Sequence, residues 1–110
     1  MECNIEKKEQ HSIVTLSGEI DLHCSAEARK SILSQISEMK HVMVDLSQVK
    51  YIDSSAIASL VEGIQMAKHA NLSFSLISVS NEAMQVLKLA RLDKVFSIFD
   101  NEEEALRVET

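Results

Sequence analysis

Apolar and polar positions along the first half of this chain follow the two spacings that distinguish strands from helices. Residues 12–17 alternate polar and apolar side chains, which predicts a strand, and Gly18 predicts the turn that follows it. The more polar residues 4–10 are predicted to form an edge strand. Over residues 25–39 apolar side chains recur at intervals of three and four, which predicts an amphipathic helix with Ser25 as its N-cap.

The second half of the chain repeats the alternation of strand and helix. Residues 41–46 form a short apolar run typical of a buried strand, and a polar link leads from it to Asp53-Ser54-Ser55. A wide apolar stripe then predicts a helix over residues 56–68, which Asn71 closes as a C-cap. The remaining predicted elements are a strand at 72–79, a helix carrying residues 83–90 and capped by Ser80 or Asn81, a strand at 95–99, and a terminal helix that begins with a capping box at 100–103.

This order of elements predicts the fold class. Strands and helices alternate after an initial pair of strands, and such strands usually pair in parallel through right-handed crossovers. The first two strands are close enough in the chain to form a hairpin, so we expect an α/β protein with a mixed sheet and helices packed on it. No segment of the 110 residues is rich in glycine, serine or proline, which indicates one domain over residues 1–110.

Charge and hydropathy narrow the classes of partner. The net charge of -6 argues against recognition of a nucleic-acid backbone or an anionic membrane through bulk charge. No apolar run reaches the roughly 18–20 residues that span a bilayer. Because the N-terminus also lacks the apolar core of a signal peptide, we expect a cytoplasmic protein without membrane insertion. Cys3 and Cys24 have no CxxC spacing and are predicted to be free thiols.

The link Asp53-Ser54-Ser55 places a carboxylate and two hydroxyls at the predicted start of a helix. Asp and Ser are preferred N-cap residues, and capping alone explains one of the three. A further hydroxyl in the first turn is open to phosphorylation, and a helix N-terminus tolerates a phosphate because its first N–H groups lack partners and its dipole is positive there. Since functional sites of parallel sheets gather at the carboxyl ends of strands, this link is the candidate site.

A second polar segment, residues 17–21, holds Glu19 and Asp21 on either side of an isoleucine. Alone it is a polar loop. Beside the Asp53 link it would complete an acidic surface rich in hydroxyls. A phosphate added to that surface would repel the nearby carboxylates and any acidic partner.

The sequence holds no recognised motif of an enzyme. A serine nucleophile needs a base, and none of the four histidines lies in a nucleophile motif such as GxSxG. The two glycines cannot build a GxGxxG or GxxxxGKS/T loop, and no His/Cys cluster has the spacing of metal ligands. We therefore expect a binding module without catalytic residues, cofactor or metal.

Spaced segments along nearly the whole chain follow known patterns. Residues 17–21 match an early G-E-L/I-D segment, and residues 44–55 match a central signature of the form DLS…IDSSG. Residues 87–96 match a later L-x-L-x-G-L-D-x-x-F, and residues 100–106 match a terminal D-S-x-E-E-A-L. In this order the segments resemble the bacterial anti-sigma factor antagonists of the STAS domain family.

This resemblance implies a STAS fold, a mixed sheet of four to five strands with about four flanking helices. It also implies a partner, an anti-sigma factor that is itself a serine kinase and that the protein sequesters to free a sigma factor. The kinase phosphorylates the second serine of the motif, which is Ser55, and a phosphatase resets it. The implied partner-binding residues are Glu19, Asp21, Asp53, Ser54, Ser55 and Ala56.

Two residues depart from the family pattern. Ala56 stands where glycine usually follows the second serine, and we expect its methyl group to crowd a close backbone contact. Ala90 is interpreted as the replacement of the later glycine. STAS domains also serve as soluble subunits that bind the ATPase of bacterial ABC lipid transporters, and this role is the alternative function. In either role we expect a monomer or weak dimer.

Overall fold

The structure is a computed structural model that describes the backbone of residues 2–109 and the side chains of residues 2–107. After an initial pair of strands, helix and strand alternate along the chain in the predicted order. The strands are β1 (Glu2–Lys7), β2 (His11–Ile20), β3 (His41–Ile52), β4 (Phe74–Ile77) and β5 (Ser97–Phe99). The helices are α1 (Ser25–Ser37), α2 (Ser54–His69), α3 (Asn81–Leu89) and α4 (Glu102–Glu109).

The strands form one five-stranded mixed sheet in the order β1-β2-β3-β4-β5. β1 and β2 make the predicted antiparallel hairpin, with Glu2 opposite Ser17. The other neighbouring strands pair in parallel, and a helix joins each of them to the next. This arrangement confirms the predicted α/β class and mixed sheet. It also sets the carboxyl ends of β2 and β3 side by side, with Ile20 opposite Ile52.

The helices cover the two faces of the sheet unequally. Buried residues of α1, α2 and α3 belong to the large hydrophobic core on one face, and α4 covers the other face through Ala105. Side chains alternate between the two cores along β3: Val42 and Val44 face the large core, and Met43 faces α4. Burial on both faces explains why this strand is continuously apolar at its start.

β2 and β3 are longer than their hydrophobic pattern predicts. β3 continues through the predicted polar link because residues 47–52 pair with the end of β2, although most of their side chains are exposed. Register shifts between Thr15 and Ser17 and between Gly18 and Glu19 accommodate the extra residues. Gly18 therefore lies inside β2 and not in a turn, with a φ of 83°, the left-handed region that favours glycine.

Two predicted helix starts are wrong by one residue. α1 has Cys24 as its N-cap, so Ser25 is the first helical residue. At the start of α4, the side chain of Asn101, and not that of Asp100, accepts the backbone N–H of Glu104 at 2.9 Å. The cap is therefore shifted by one residue, and the carboxylate of Glu104 accepts the backbone N–H of Asp100 at 3.0 Å rather than that of Asn101, so the reciprocal capping box does not form. The N-cap of α3 is Ser80, one of the two residues predicted for it.

The first three helices end in the same left-handed turn. The residue after each C-cap has a positive φ, which is 62° at Met39, 59° at Asn71 and 60° at Arg91. Asn71, predicted as the C-cap of α2, is one residue further on: Ala70 is the C-cap, and Asn71 takes the left-handed position after it. The assignment of the later family glycine to Ala90 is wrong by one residue, because Ala90 keeps a right-handed backbone. Arg91 occupies the left-handed position at which glycine is favoured.

Candidate functional site

Asp53 caps α2 and holds the first turn of that helix together. Its backbone is extended, and its Oδ1 accepts the backbone N–H groups of Ser55 at 3.0 Å and of Ala56 at 3.2 Å. The hydroxyl of Ser55 also donates to this oxygen, at 2.6 Å. Ser54 is exposed, and among the described residues its hydroxyl has no hydrogen-bond partner. The two serines therefore differ, since one hydroxyl is open to solvent and the other is held by the cap.

These contacts lower the pKa of Asp53. The hydrogen bond from the Ser55 hydroxyl has the largest effect, and partial burial acts in the opposite direction. The backbone N–H groups of Ala56, Ser55 and Leu22 lower the pKa further. The contribution of Leu22 is informative because this residue belongs to the loop between β2 and α1. An ionised carboxylate thus joins that loop to the start of α2.

The loop between β2 and α1 lies directly against this helix start. The backbone N–H of Asp53 donates to the carbonyl of Ile20 at 3.2 Å, which extends the contact between β2 and β3 past their last residues. Asp21 then shapes the loop: its Oδ1 accepts the N–H of His23 at 3.0 Å, and its carbonyl accepts the N–H of Cys24 at 3.1 Å. The sheet register therefore brings the two predicted polar segments to one edge.

The predicted site residues share this edge, but they do not all reach its surface. Ala56 is 3% exposed, and its methyl group lies in the large hydrophobic core. Its side chain is therefore unavailable to a partner, and its methyl group does not crowd the outer face of the helix start. We define the carboxyl-end surface by its exposed and half-buried residues, which are Glu19, Asp21, Leu22, Asp53, Ser54 and Ser55.

Two residues at this edge were not predicted. Leu22 is 72% exposed beside Asp21, and its only signal in the sequence is an apolar residue outside every predicted element. The buried hydroxyl of Ser59 lies within hydrogen-bond distance of the carbonyls of Ser25, at 3.3 Å, and Ser55, at 3.2 Å. It thereby connects the first turns of α1 and α2, and its signal is a polar residue one turn after Ser55 on the apolar stripe.

Other titratable side chains are engaged elsewhere. Nε2 of His11 lies 2.9 Å from the carboxylate of Glu102, and Nδ1 of His41 accepts the backbone N–H of Ser73 at 2.9 Å. Within the described part of the chain, no group of three or more His, Cys, Asp or Glu residues is arranged to hold a metal ion. None of the helices described has the length and apolar character needed to cross a bilayer.

Known proteins are similar to this chain in sequence or in fold. The anti-sigma F factor antagonist of Paenibacillus polymyxa is 27% identical over 96 residues, which cover 86% of this chain and 82% of the relative. The structure of an anti-sigma factor antagonist from Mycobacterium paratuberculosis matches with a TM-score of 0.83 at 21% identity, covering 97% and 92% of the two chains. The Bacillus cell fate determinant SpoIIAA in its phosphorylated form matches with a TM-score of 0.76 at 18% identity, covering 99% and 100%.

The likeness to these solved structures concerns the fold, with its five-stranded mixed sheet and four helices. A family model gives the more specific result. The model described as STAS domain matches residues 2–105, a range that includes the whole carboxyl-end surface. This match confirms the resemblance in the sequence motifs. The chain belongs to the STAS domain family.

Proposed function

We propose that this chain is an anti-sigma factor antagonist, a non-enzymatic module that sequesters an anti-sigma factor and so regulates sigma-dependent transcription. Two of the three proteins described above carry that name, and the family match includes the residues that the motif assigns to the partner. The observation that carries the proposal is the 2.6 Å hydrogen bond from the Ser55 hydroxyl to Asp53 at an open helix N-terminus. This bond supports Ser55 as the proposed site of modification, because it holds the hydroxyl beside Asp53 on the carboxyl-end surface.

Phosphorylation of Ser55 would end binding through charge. A phosphate carries about -1.5 to -2 charges at neutral pH. It also replaces the hydroxyl proton that Ser55 donates to Asp53. The first N–H groups of α2 tolerate the added charge, so the helix stays folded. Burying this group against a partner and beside Asp53 then costs far more than burying a hydroxyl, which favours dissociation.

The proposed partner is an anti-sigma factor that is itself a serine kinase, with a cognate phosphatase that restores Ser55. Both would act on the chain in the cytoplasm, on a monomer or weak dimer. Ser54 is the more exposed serine, whereas Asp53 holds the hydroxyl of Ser55. The kinase must therefore break the contact between Ser55 and Asp53 before it phosphorylates Ser55. That same contact makes Ser55 the sensitive position, because only there does a phosphate displace a donor from the cap.

A binding assay with the anti-sigma kinase of the same cell tests the switch. We expect Ser55→Asp to abolish binding and Ser55→Ala to retain it, since alanine leaves the backbone bonds of the Asp53 cap in place. Ser54→Asp is the matched control and should retain more binding than Ser55→Asp. Equal binding by both Ser55 variants would show that the switch is wrong. Mass spectrometry of the protein from its native cells should find phosphate on Ser55.

The alternative role, a subunit bound to the ATPase of an ABC lipid transporter, has no support among the relatives named above. It makes a different prediction for the same variants. Co-purification with an ATPase that Ser55→Asp leaves unchanged would favour it over the antagonist.

A further inference from the structure

The end of α3 and the turn after it expose apolar side chains among cations. Leu89, the last helical residue, is 86% exposed, and Val95 is 49% exposed. Lys88, Arg91 and Lys94 are exposed beside them in the chain. We call these five residues the basic apolar patch. Of the large apolar side chains that the structure describes, Leu89 is the most exposed.

A shallow hollow, wide open to solvent, adjoins the patch. Gln85, Lys88 and Leu89 line an open depression of about 390 Å³. These positions are three and four residues apart, so they share one face of α3. Of these three residues only Leu89 is apolar, so an amphipathic helix docked here would place its apolar face over that side chain.

Charge separates this patch from the rest of the chain. The whole chain has a net charge of -6, whereas residues 85–95 hold three cations and a single carboxylate, that of Asp93. Lys88, Arg91 and Lys94 belong to none of the ion pairs found among the described residues. The patch is therefore a local basic surface on an acidic protein, and it suits an acidic ligand.

The patch lies at the end of the sheet opposite to the carboxyl-end surface. α3 begins at the carboxyl ends of the strands, where the Ser80 hydroxyl donates to the carbonyl of Val49 at 2.8 Å. Because α3 joins the end of β4 to the start of the parallel strand β5, it runs back along the sheet. Its last residue, Leu89, is therefore about 12 Å from its first along the helix axis.

We propose that the basic apolar patch is a second docking site, which takes an acidic amphipathic helix of a partner protein. The leucine and the hollow would bind the apolar stripe of that helix, and the three cations would meet its carboxylates. A planar anionic membrane fits less well, because it would also face the acidic remainder of the chain. A second copy that docks through the same patch fits less well, because it would set the three cations of one chain against those of the other. The site goes beyond the proposed function and leaves the carboxyl-end surface free.

The test is an NMR titration of the isotopically labelled full chain with a helical peptide. The probe is about 15 residues long, enough for a helix in water. It carries leucine on one face and glutamate elsewhere, and a control peptide has lysine in place of glutamate. We expect amide shifts confined to residues 85–95, with the glutamate peptide only, and weaker at high salt. Leu89→Gln should weaken binding about tenfold, from the apolar area it no longer buries. Met66→Gln changes an exposed apolar residue of a different helix, α2, and should leave the binding of the glutamate peptide unchanged.

Arg91→Gly separates docking from stability. Glycine relieves the left-handed backbone of Arg91, so this variant should melt at a higher temperature and yet bind the glutamate peptide several-fold more weakly. Met39→Gly is the matched control, since it relieves the same conformation at the end of α1 and leaves the three cations in place. It should melt higher and bind unchanged.

Several results would overturn the proposal. These are no shifts, equal shifts with both peptides, or shifts centred on the carboxyl-end surface. Shifts of residues 85–95 on dilution of the protein alone would show that a second copy covers the patch. Binding of phosphatidylserine vesicles that Leu89→Gln abolishes would show that a membrane does. Equal peptide binding by Arg91→Gly and Met39→Gly would show that the guanidinium of Arg91 does not contribute to the site.

Discussion

Gly63 sits in the middle of α2, and its replacement by alanine sets two measurable effects against each other. Alanine is the better helix former and favours the folded state by about 1 kcal/mol in an exposed helix interior. Gly63 is buried, however, and a Cβ there would lie 2.8 Å from Cε2 of Phe74 and 3.0 Å from Cγ2 of Ile32. Contact that close forces a ring or the whole helix to shift.

The ring of Phe74 has little room to move. Its side chain is 6% exposed, and its centroid is 6.2 Å from that of Phe96 in a tilted pair. Overpacking a core of this kind costs about 1–3 kcal/mol. The gain in helix propensity offsets part of it, so we expect Gly63→Ala to lower the free energy of unfolding by about 1 kcal/mol. The melting temperature should fall by about 4 °C or more.

Urea denaturation of four proteins isolates the free-energy cost of the contact between the new methyl group and the ring of Phe74. Gly63→Ala is made in the wild-type chain and again in a Phe74→Leu background, where leucine leaves out the ring atoms that the new methyl group meets. We expect the change to destabilise the first and to be neutral or stabilising in the second. A stabilising effect in the wild-type chain would refute the reasoning, because it would mean that α2 and β4 separate without cost.

Four further predictions concern single side chains. The pKa of Asp53 should rise in Ser55→Ala, as measured by NMR titration. Because the folded pKa is below the ordinary value of about 3.9, the stability lost in Asp53→Asn should be fully present above pH 4 and shrink as the pH falls through the folded value. Leu22→Ser should weaken partner binding in a pull-down and leave the melting temperature unchanged, since Leu22 is 72% exposed. Ser12→Ala leaves the buried Oε1 of Gln35 without its 2.7 Å donor, and should cost about 1–3 kcal/mol in urea denaturation.

The fold was predictable because local pattern and tertiary packing agree over most of the chain. The apolar stripe of α2 faces the large core, and the apolar start of β3 is buried on both faces, so each period was recognisable from the sequence. The strand over residues 47–52 was not predictable, because there the local pattern and the tertiary packing disagree. Their side chains are mostly exposed, and they are a strand because β2 supplies hydrogen-bond partners from a distant part of the chain. No pattern local to those residues contains that information.

The location of the candidate site was predictable from the sequence, but the contacts between its residues were not. Asp53 as a cap follows from residue preference alone, and the motif pointed to Ser55. The contact of Leu22 with the Asp53 carboxylate depends on the register between β2 and β3, which includes two irregularities. The inward direction of the Ala56 methyl group depends on which face of α2 meets the sheet. Both facts belong to tertiary structure and follow from no pattern local to these residues.

The parallel crossovers also give a physical reason for the charges found at the two ends of α2 and α3. Each crossover helix starts at the carboxyl ends of the strands, so the unpaired N–H groups of α1, α2 and α3 gather there and favour anionic groups. Asp53 uses them as a cap, and a phosphate on Ser55 would find the same donors. The helix carbonyls gather at the other end, where Lys68 and Lys88 stand in the last turns of α2 and α3. Helix dipoles thus favour a phosphate at one end and cations at the other. Reversing the charge at the end of α3 should therefore have two effects. Lys88→Glu should destabilise α3 and weaken the binding of an acidic peptide. Lys30→Glu, on the exposed face of α1, should change neither the stability nor the binding.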